Sequence, residues 1–208
     1  MFSATAAEFL EHYQRDVAIR WSPDDLAAQR EFVNSCVAER HWLDWSTPTA
    51  ALQLIQTNHA QTALGMTEKF DALVLAGPVV EMIEPATLFS HAAAPLNPDG
   101  RLIGIVPCLR DNSPESWTFS ELAAYALWPY FTAEELFEIL RESGWLVDSD
   151  ASGFVAVRRF NEAALKDQLG FKGFKRIFDQ LMTQGYDPME VGWGELRFAA
   201  TFDGSEAQ

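Results

Sequence analysis

The sequence predicts an α/β fold in which a mostly parallel sheet lies between helices. Three observations carry this. Short apolar runs alternate with stretches of helical periodicity from Val17 to Val106. The run Ala72 to Ala76 (ALVLA) is too short and too apolar for anything but a strand covered on both faces. Finally, Asn97-Pro98-Asp99-Gly100 is a turn signal between a helical stretch and a second apolar run, Arg101 to Val106 (RLIGIV), which together read as a strand–helix–strand crossover.

Each element has its own local reason. Ala6, Phe9, Leu10 and Tyr13 recur at helical spacing, so Ser3 to Gln14 reads as an amphipathic helix. Val17 to Trp21 (VAIRW) reads as a short strand, because a β-branched apolar run is followed at once by Ser22-Pro23-Asp24-Asp25, a helix cap with a first-turn proline and acids at the positive end. A helix from Pro23 to Arg40 follows, then a second strand, His41 to Trp45, and a second helix opened by Ser46-Thr47-Pro48 and closed near Gly65. After the crossover, a helical region reaches Ser143, broken at Pro129 and restarted by the capping box Thr132-Ala-Glu-Glu135. Trp145 to Asp148 and Phe154 to Arg158 read as an antiparallel hairpin. Residues 161–208 hold one more helix and a strand over Glu195 to Phe202, which divides the chain into an α/β domain, 1–160, and a C-terminal extension, 161–208.

Composition excludes several functions. The 208 residues, 48% hydrophobic and 12% aromatic, suffice for a core of ordinary size. A formal charge of −15, from 30 acidic against 15 basic residues, disfavours nucleic acid, whose phosphates require positive surface. No basic-then-apolar leader opens the sequence and no uncharged run approaches the ~18 apolar residues of a membrane span, so the expectation is a cytoplasmic protein with no membrane partner. Cys36 and Cys108 read as reduced thiols, and His12, His41, His59 and His91 have no metal-ligand spacing, so no metal is expected.

The order of parts from Phe70 to Arg159 resembles the C-terminal half of the class I S-adenosylmethionine-dependent methyltransferases of the small-molecule type. Phe70-Asp71 matches the start of that family's fourth strand, Glu81 the acid that follows it, and Leu96-Asn-Pro-Asp-Gly-Arg-Leu102 the turn into the fifth. "FTAEELFEILRESGW" is similar to the helix before the sixth strand, and Gly153 to Arg159 to the antiparallel seventh. The resemblance implies a Rossmann-like methyltransferase sheet with a C-terminal antiparallel hairpin and, in this chain, a reduced number of N-terminal strands.

The N-terminal half departs from that pattern. In the family a glycine-rich loop after the first strand lets backbone amides approach the cofactor. If Val17 to Trp21 is the first strand, the loop is Ser22-Pro23-Asp24-Asp25; if His41 to Trp45 is, "LDWSTPTAAL" has Ser46, Pro48 and Ala50 in place of glycines. The first alignment is preferred because it makes Asp44 the acid at the end of strand two, which in the family binds the ribose hydroxyls. Too few residues separate Asp44 from Asp71 for a full third strand.

The candidate site is accordingly Asp44 and Gly77 for the cofactor and Glu81 for catalysis. Set against these roles, Asp44 also reads as a cap on the next helix, Glu81 as a surface or salt-bridged acid, and Gly77-Pro78 as a strand-ending turn. The residue after Glu81, often a histidine in the family, is Met82, which cannot move a proton. These departures point to a protein that has lost cofactor binding, a pseudoenzyme serving as a binding, regulatory or scaffold subunit; the alternative is an active S-adenosylmethionine-dependent enzyme acting on a small molecule. The basic stretch Arg158 to Arg176, interleaved with Phe171, Phe174 and Phe178, suits an acidic protein partner or a second copy of the chain.

Overall fold

The computed structural model describes residues 10–11, 13–14, 17–18, 20–57, 68–113, 116, 131–156, 162–185 and 193–203. Helices α1 (Pro23–Val37), α2 (Pro48–Thr57), α3 (Pro78–Met82), α4 (Pro85–Ala92), α5 (Ala133–Glu142) and α6 (Glu162–Thr183) accompany strands β1 (Trp42–Asp44), β2 (Phe70–Leu75), β3 (Leu96–Leu109), β4 (Trp145–Val147), β5 (Gly153–Ala156) and β6 (Trp193–Phe202). The sheet order is β1-β2-β3-β6-β4, with β5 also paired to β6. β1, β2 and β3 are parallel, and β6 runs antiparallel to β3, β4 and β5. This is the mostly parallel, helix-flanked sheet of a Rossmann-like methyltransferase fold, with a single strand before β2 among the described residues.

Alternation along β2 and β3 separates the two faces. Leu73, Leu75, Leu102 and Val106 join Val79, Val80, Leu88, Phe89, Leu136, Leu140 and Trp145 in the larger core, beneath α3, α4 and α5. Ala72, Val74 and Ile103 turn the other way and meet Phe32, Val33, Cys36 and Val37 of α1. Both faces are covered, which is why these runs carry no polar alternation. The Trp145 indole donates to Phe89 O at 3.0 Å and ties the far edge of the sheet to α4.

Three local expectations change. Val17, Ala18 and Arg20 are helical, not a strand, and Trp21 N bonds Val17 O at 3.0 Å; the β-branched start of VAIRW is overridden by an i→i−4 bond. Trp145–Val147 and Gly153–Ala156 do not form a hairpin with each other; both pair with β6, at opposite ends of it. The antiparallel strand beside the last parallel one is therefore Trp193–Phe202 rather than the stretch from Gly153, so part of the segment expected as an extension runs within the sheet. The reason is room. Phe198 fills the space over Gly104, where a Cβ would lie 2.1 Å from its ring, and no residue of β5 takes that place.

The turn Asn97–Gly100 is absorbed as a bulge. Pairing jumps from Phe70↔Leu96 to Ala72↔Arg101, with Asp99 at φ 65°. The Ser22 cap and the Thr132–Glu135 capping box form as read, and Ser22 also closes a capping box with Asp25. Residues 58–67, where a third strand would fall, and the helical region around Pro129 lie outside the described residues.

Candidate functional site

In open α/β sheets ligands bind beyond the carboxyl ends of the strands, where the strand order reverses. With Phe70–Leu75 in the place of a fourth strand, its parallel neighbour β1 stands in the place of a first, and the crevice to inspect lies between the ends of these two. Asp44 ends β1. It is thus an acid at the end of the first strand, not of a second one preceded by Val17–Trp21, and the loop of interest is Trp45-Ser46-Thr47 instead of Ser22–Asp25.

That loop is held by its own side chains. Trp45 N continues the pairing by bonding Val74 O at 2.9 Å. The Asp44 carboxylate is exposed and accepts from Ser46 N at 2.7 Å, and Thr47 Oγ1 accepts from Ala50 N at 3.2 Å to open α2. Trp45 is buried, and the Ser46 hydroxyl is buried with no hydrogen-bond partner among the described residues. A glycine-rich version would offer amides to a ligand; this one directs Ser46 N at Asp44.

Across the crevice, Gly77 takes φ +62° as β2 turns into α3, a conformation an L side chain rarely adopts. Its open side does not face empty space. An added Cβ would lie 3.1 Å from Ser46 O and 3.1 Å from the Tyr13 hydroxyl. Gly77 is therefore where the loop after β1, the turn after β2 and the N-terminal helical segment converge.

One helical turn further, Glu81 meets Arg20 of that same N-terminal segment. Arg20 Nη1 and Nη2 donate to Glu81 Oε1 and Oε2 at 3.0 and 2.8 Å, a bidentate pair whose side chains are 0% and 3% exposed. The guanidinium also lies 6.0 Å from the ring centroids of both Tyr13 and Trp21. The structure thus brings Gly77 and Glu81 to one place and sets Asp44 at its rim. A carboxylate held by both oxygens against a buried guanidinium is an anchor; it is poorly placed to accept a proton from a substrate.

A second buried acid was not anticipated from the sequence. Glu195, on β6 opposite Pro107 of β3, is 1% exposed, accepts from Gln29 Nε2 at 2.5 Å and pairs with Arg197 Nε. Burial raises its carboxyl above the ordinary range, opposed by Arg197 and Gln29 and assisted by Asp25. The available signal was Glu195 and Arg197 two apart on one face of a strand otherwise apolar there. Arg20 was missed because the stretch around it reads as a strand, and Tyr13 because it reads as an apolar position of the helix Ser3 to Gln14.

The remaining candidates are ordinary. His41 Nε2 is 3.7 Å from Glu68, and His91 Nδ1 lies 2.7 Å from Thr87 O. No cluster that could hold a metal occurs among the described residues, and no described helix is long and apolar enough to cross a membrane. His12, His59 and the side chains of Phe171, Phe174 and Phe178 lie outside the described residues.

No protein-family profile and no curated protein matches the chain. Solved structures do. The (4+2)-cyclase SpnF superposes with a TM-score of 0.54 at 16% identity, over 93% of this chain and 92% of that one. A candidate methyltransferase of Bacillus halodurans C-125 gives 0.55 at 13% identity, over 89% and 100%. Geranyl diphosphate C-methyltransferase of Streptomyces coelicolor A3(2), solved with Mg2+, geranyl diphosphate and S-adenosyl-L-homocysteine, gives 0.51 at 12% identity, over 86% and 80%. At such identities the likeness establishes the fold.

Proposed function

We propose that this chain, which has the class I S-adenosylmethionine-dependent methyltransferase fold, is degenerate in cofactor binding and acts as a binding, regulatory or scaffold subunit. The observation that carries the reading is at Gly77, whose open side meets Ser46 O and the Tyr13 hydroxyl at 3.1 Å each from a built Cβ. On this reading, Ser46 and Tyr13 stand close against Gly77 where the cofactor's methionine end would have to approach.

The surrounding residues support the same reading and do not fit the cofactor. The loop after β1 contains no glycine, and its Pro48 has no amide hydrogen to offer. Asp44 spends an oxygen on its own loop. Glu81 is committed to Arg20, and Met82 beside it carries no titratable group. No strand lies beyond β1 among the described residues to supply the acid that would grip a ribose. A fold shared with a protein called a cyclase as well as with methyltransferases does not decide the activity. Calorimetric titration with S-adenosylmethionine tests the reading.

One observation favours the alternative, a small-molecule methyltransferase. The Ser46 hydroxyl is buried without a partner, and a ligand in a rearranged crevice would satisfy it. There the loop after β1, with Ser46, would line the site, the cofactor would supply an electrophilic methyl, and the protein would contribute proximity. Loss of S-adenosylmethionine affinity in Ser46→Ala would support that alternative.

A further inference from the structure

We infer that the outer face of α5 and the basic face of α6 are reciprocal docking surfaces for a second copy of this chain. α5 buries Ala133, Leu136 and Leu140 and turns Glu134, Glu138 and Glu142 to solvent. These three recur every four residues, so they stack along one line of the helix, where like charges repel. Arg141, beside them, directs its Nε to Phe137 O at 3.1 Å, and no ion pair neutralises any of the three glutamates among the described residues.

The complementary surface is on α6. Lys172 and Arg176 are exposed one turn apart and make no ion pair among the described residues, whereas Lys175 between them is satisfied by Asp179 at 2.5 Å. Two cations stacked at the same i, i+4 spacing as the carboxylates of α5 form the opposite charge pattern with a matching repeat. Within one chain no ion pair joins the two sets among the described residues. Placed across a two-fold axis, α5 of each copy meets α6 of the other, and the pairing of cations with carboxylates occurs twice. A second copy carries both stripes, so each copy supplies the charge that the other's stripe lacks.

The test is sedimentation velocity on the full chain, at ~0.02 M and ~0.5 M salt, on either side of the ionic strength at which the Debye length is about 10 Å. A dimer that weakens at high salt is expected. Lys172→Glu with Arg176→Glu, or Glu138→Lys with Glu142→Lys, should each weaken it at least ~10-fold, and the four changes together should restore it. All four positions are exposed, and circular dichroism reports whether each variant is folded. A chain that stays monomeric, a dimer insensitive to salt and to either reversal, or a failure of the fourfold variant to recover would overturn the inference. So would binding of a monomer to phosphatidylserine vesicles that Lys172→Glu with Arg176→Glu abolishes, since the cations would then serve a membrane.

Discussion

Arg20 and Glu81, sixty-one positions apart, form a bidentate ion pair with 0% and 3% of their side chains exposed. The pair fastens the N-terminal helical segment over the carboxyl end of β2, and the Tyr13 hydroxyl reaches Gly77 from the same segment. Structure and proposed loss of cofactor binding therefore meet in one contact.

Removing one partner of this pair leaves the other charge buried. Arg20→Met and Glu81→Leu should each lose about 3–5 kcal/mol of stability, while the two together should recover most of it, because two apolar side chains strand no charge. Urea unfolding of the four proteins measures the coupling; additive losses would show that the two residues do not act as a pair.

Gly104 lies directly across from Phe198, and any Cβ there would overlap the ring. Gly104→Ala should destabilise by about 1–3 kcal/mol or more, and Phe198→Ala in the same chain should relieve part of that cost by removing the ring. A double-mutant cycle in thermal or urea unfolding reads the relief directly.

Because β6 separates β3 from β4, a chain ending at Phe160 loses the partner of three strands. It should show no cooperative melting transition and should aggregate. A soluble monomer with a sharp transition would mean that residues 1–160 close a sheet of their own.

The acid–base behaviour of Glu195 has a definite sign. Burial raises its folded carboxyl above the unfolded value, so the folded state binds the proton more tightly. Its contribution to stability is full at low pH and is lost as pH rises from the ordinary glutamate range through the raised value. Unfolding of wild type and Glu195→Gln across pH should show a decline in the wild type over that window that the variant lacks.

Cys108 is buried, and burial together with nearby Glu195 raises its thiol well above the usual range, whereas Cys36 is half-buried. Iodoacetamide on the native protein should modify Cys36 and spare Cys108 until denaturant is added. Equal labelling, read by peptide mass spectrometry, would place Cys108 near solvent.

The parts legible in the sequence were those written locally. Ser22 to Asp25 and Thr132 to Glu135 specify their helix starts within four residues, and the apolar density of Phe70 to Leu75 and Leu102 to Val106 reports burial on both faces. Strand pairing is not local. Glu195 to Phe202 read as a strand, yet nothing nearby says that it lies against Leu102 to Val106 instead of forming an edge. At the site, the missing glycines after Asp44 were visible, but Val17 to Trp21 mimics a strand by composition, and that hid Arg20 as the partner of Glu81. A contact across sixty-one residues leaves no mark in the pattern around either end.

The most direct measurement is calorimetric titration of the full chain with S-adenosylmethionine and S-adenosylhomocysteine. With Tyr13 and Ser46 against Gly77 and the Arg20–Glu81 pair beside it, the proposed loss of binding predicts no saturable heat at concentrations up to about 100 μM, a dissociation constant equivalent to about −5.5 kcal/mol. Saturable binding tighter than that, weakened by Ser46→Ala or Asp44→Ala, would contradict the account and identify the crevice as a working cofactor site.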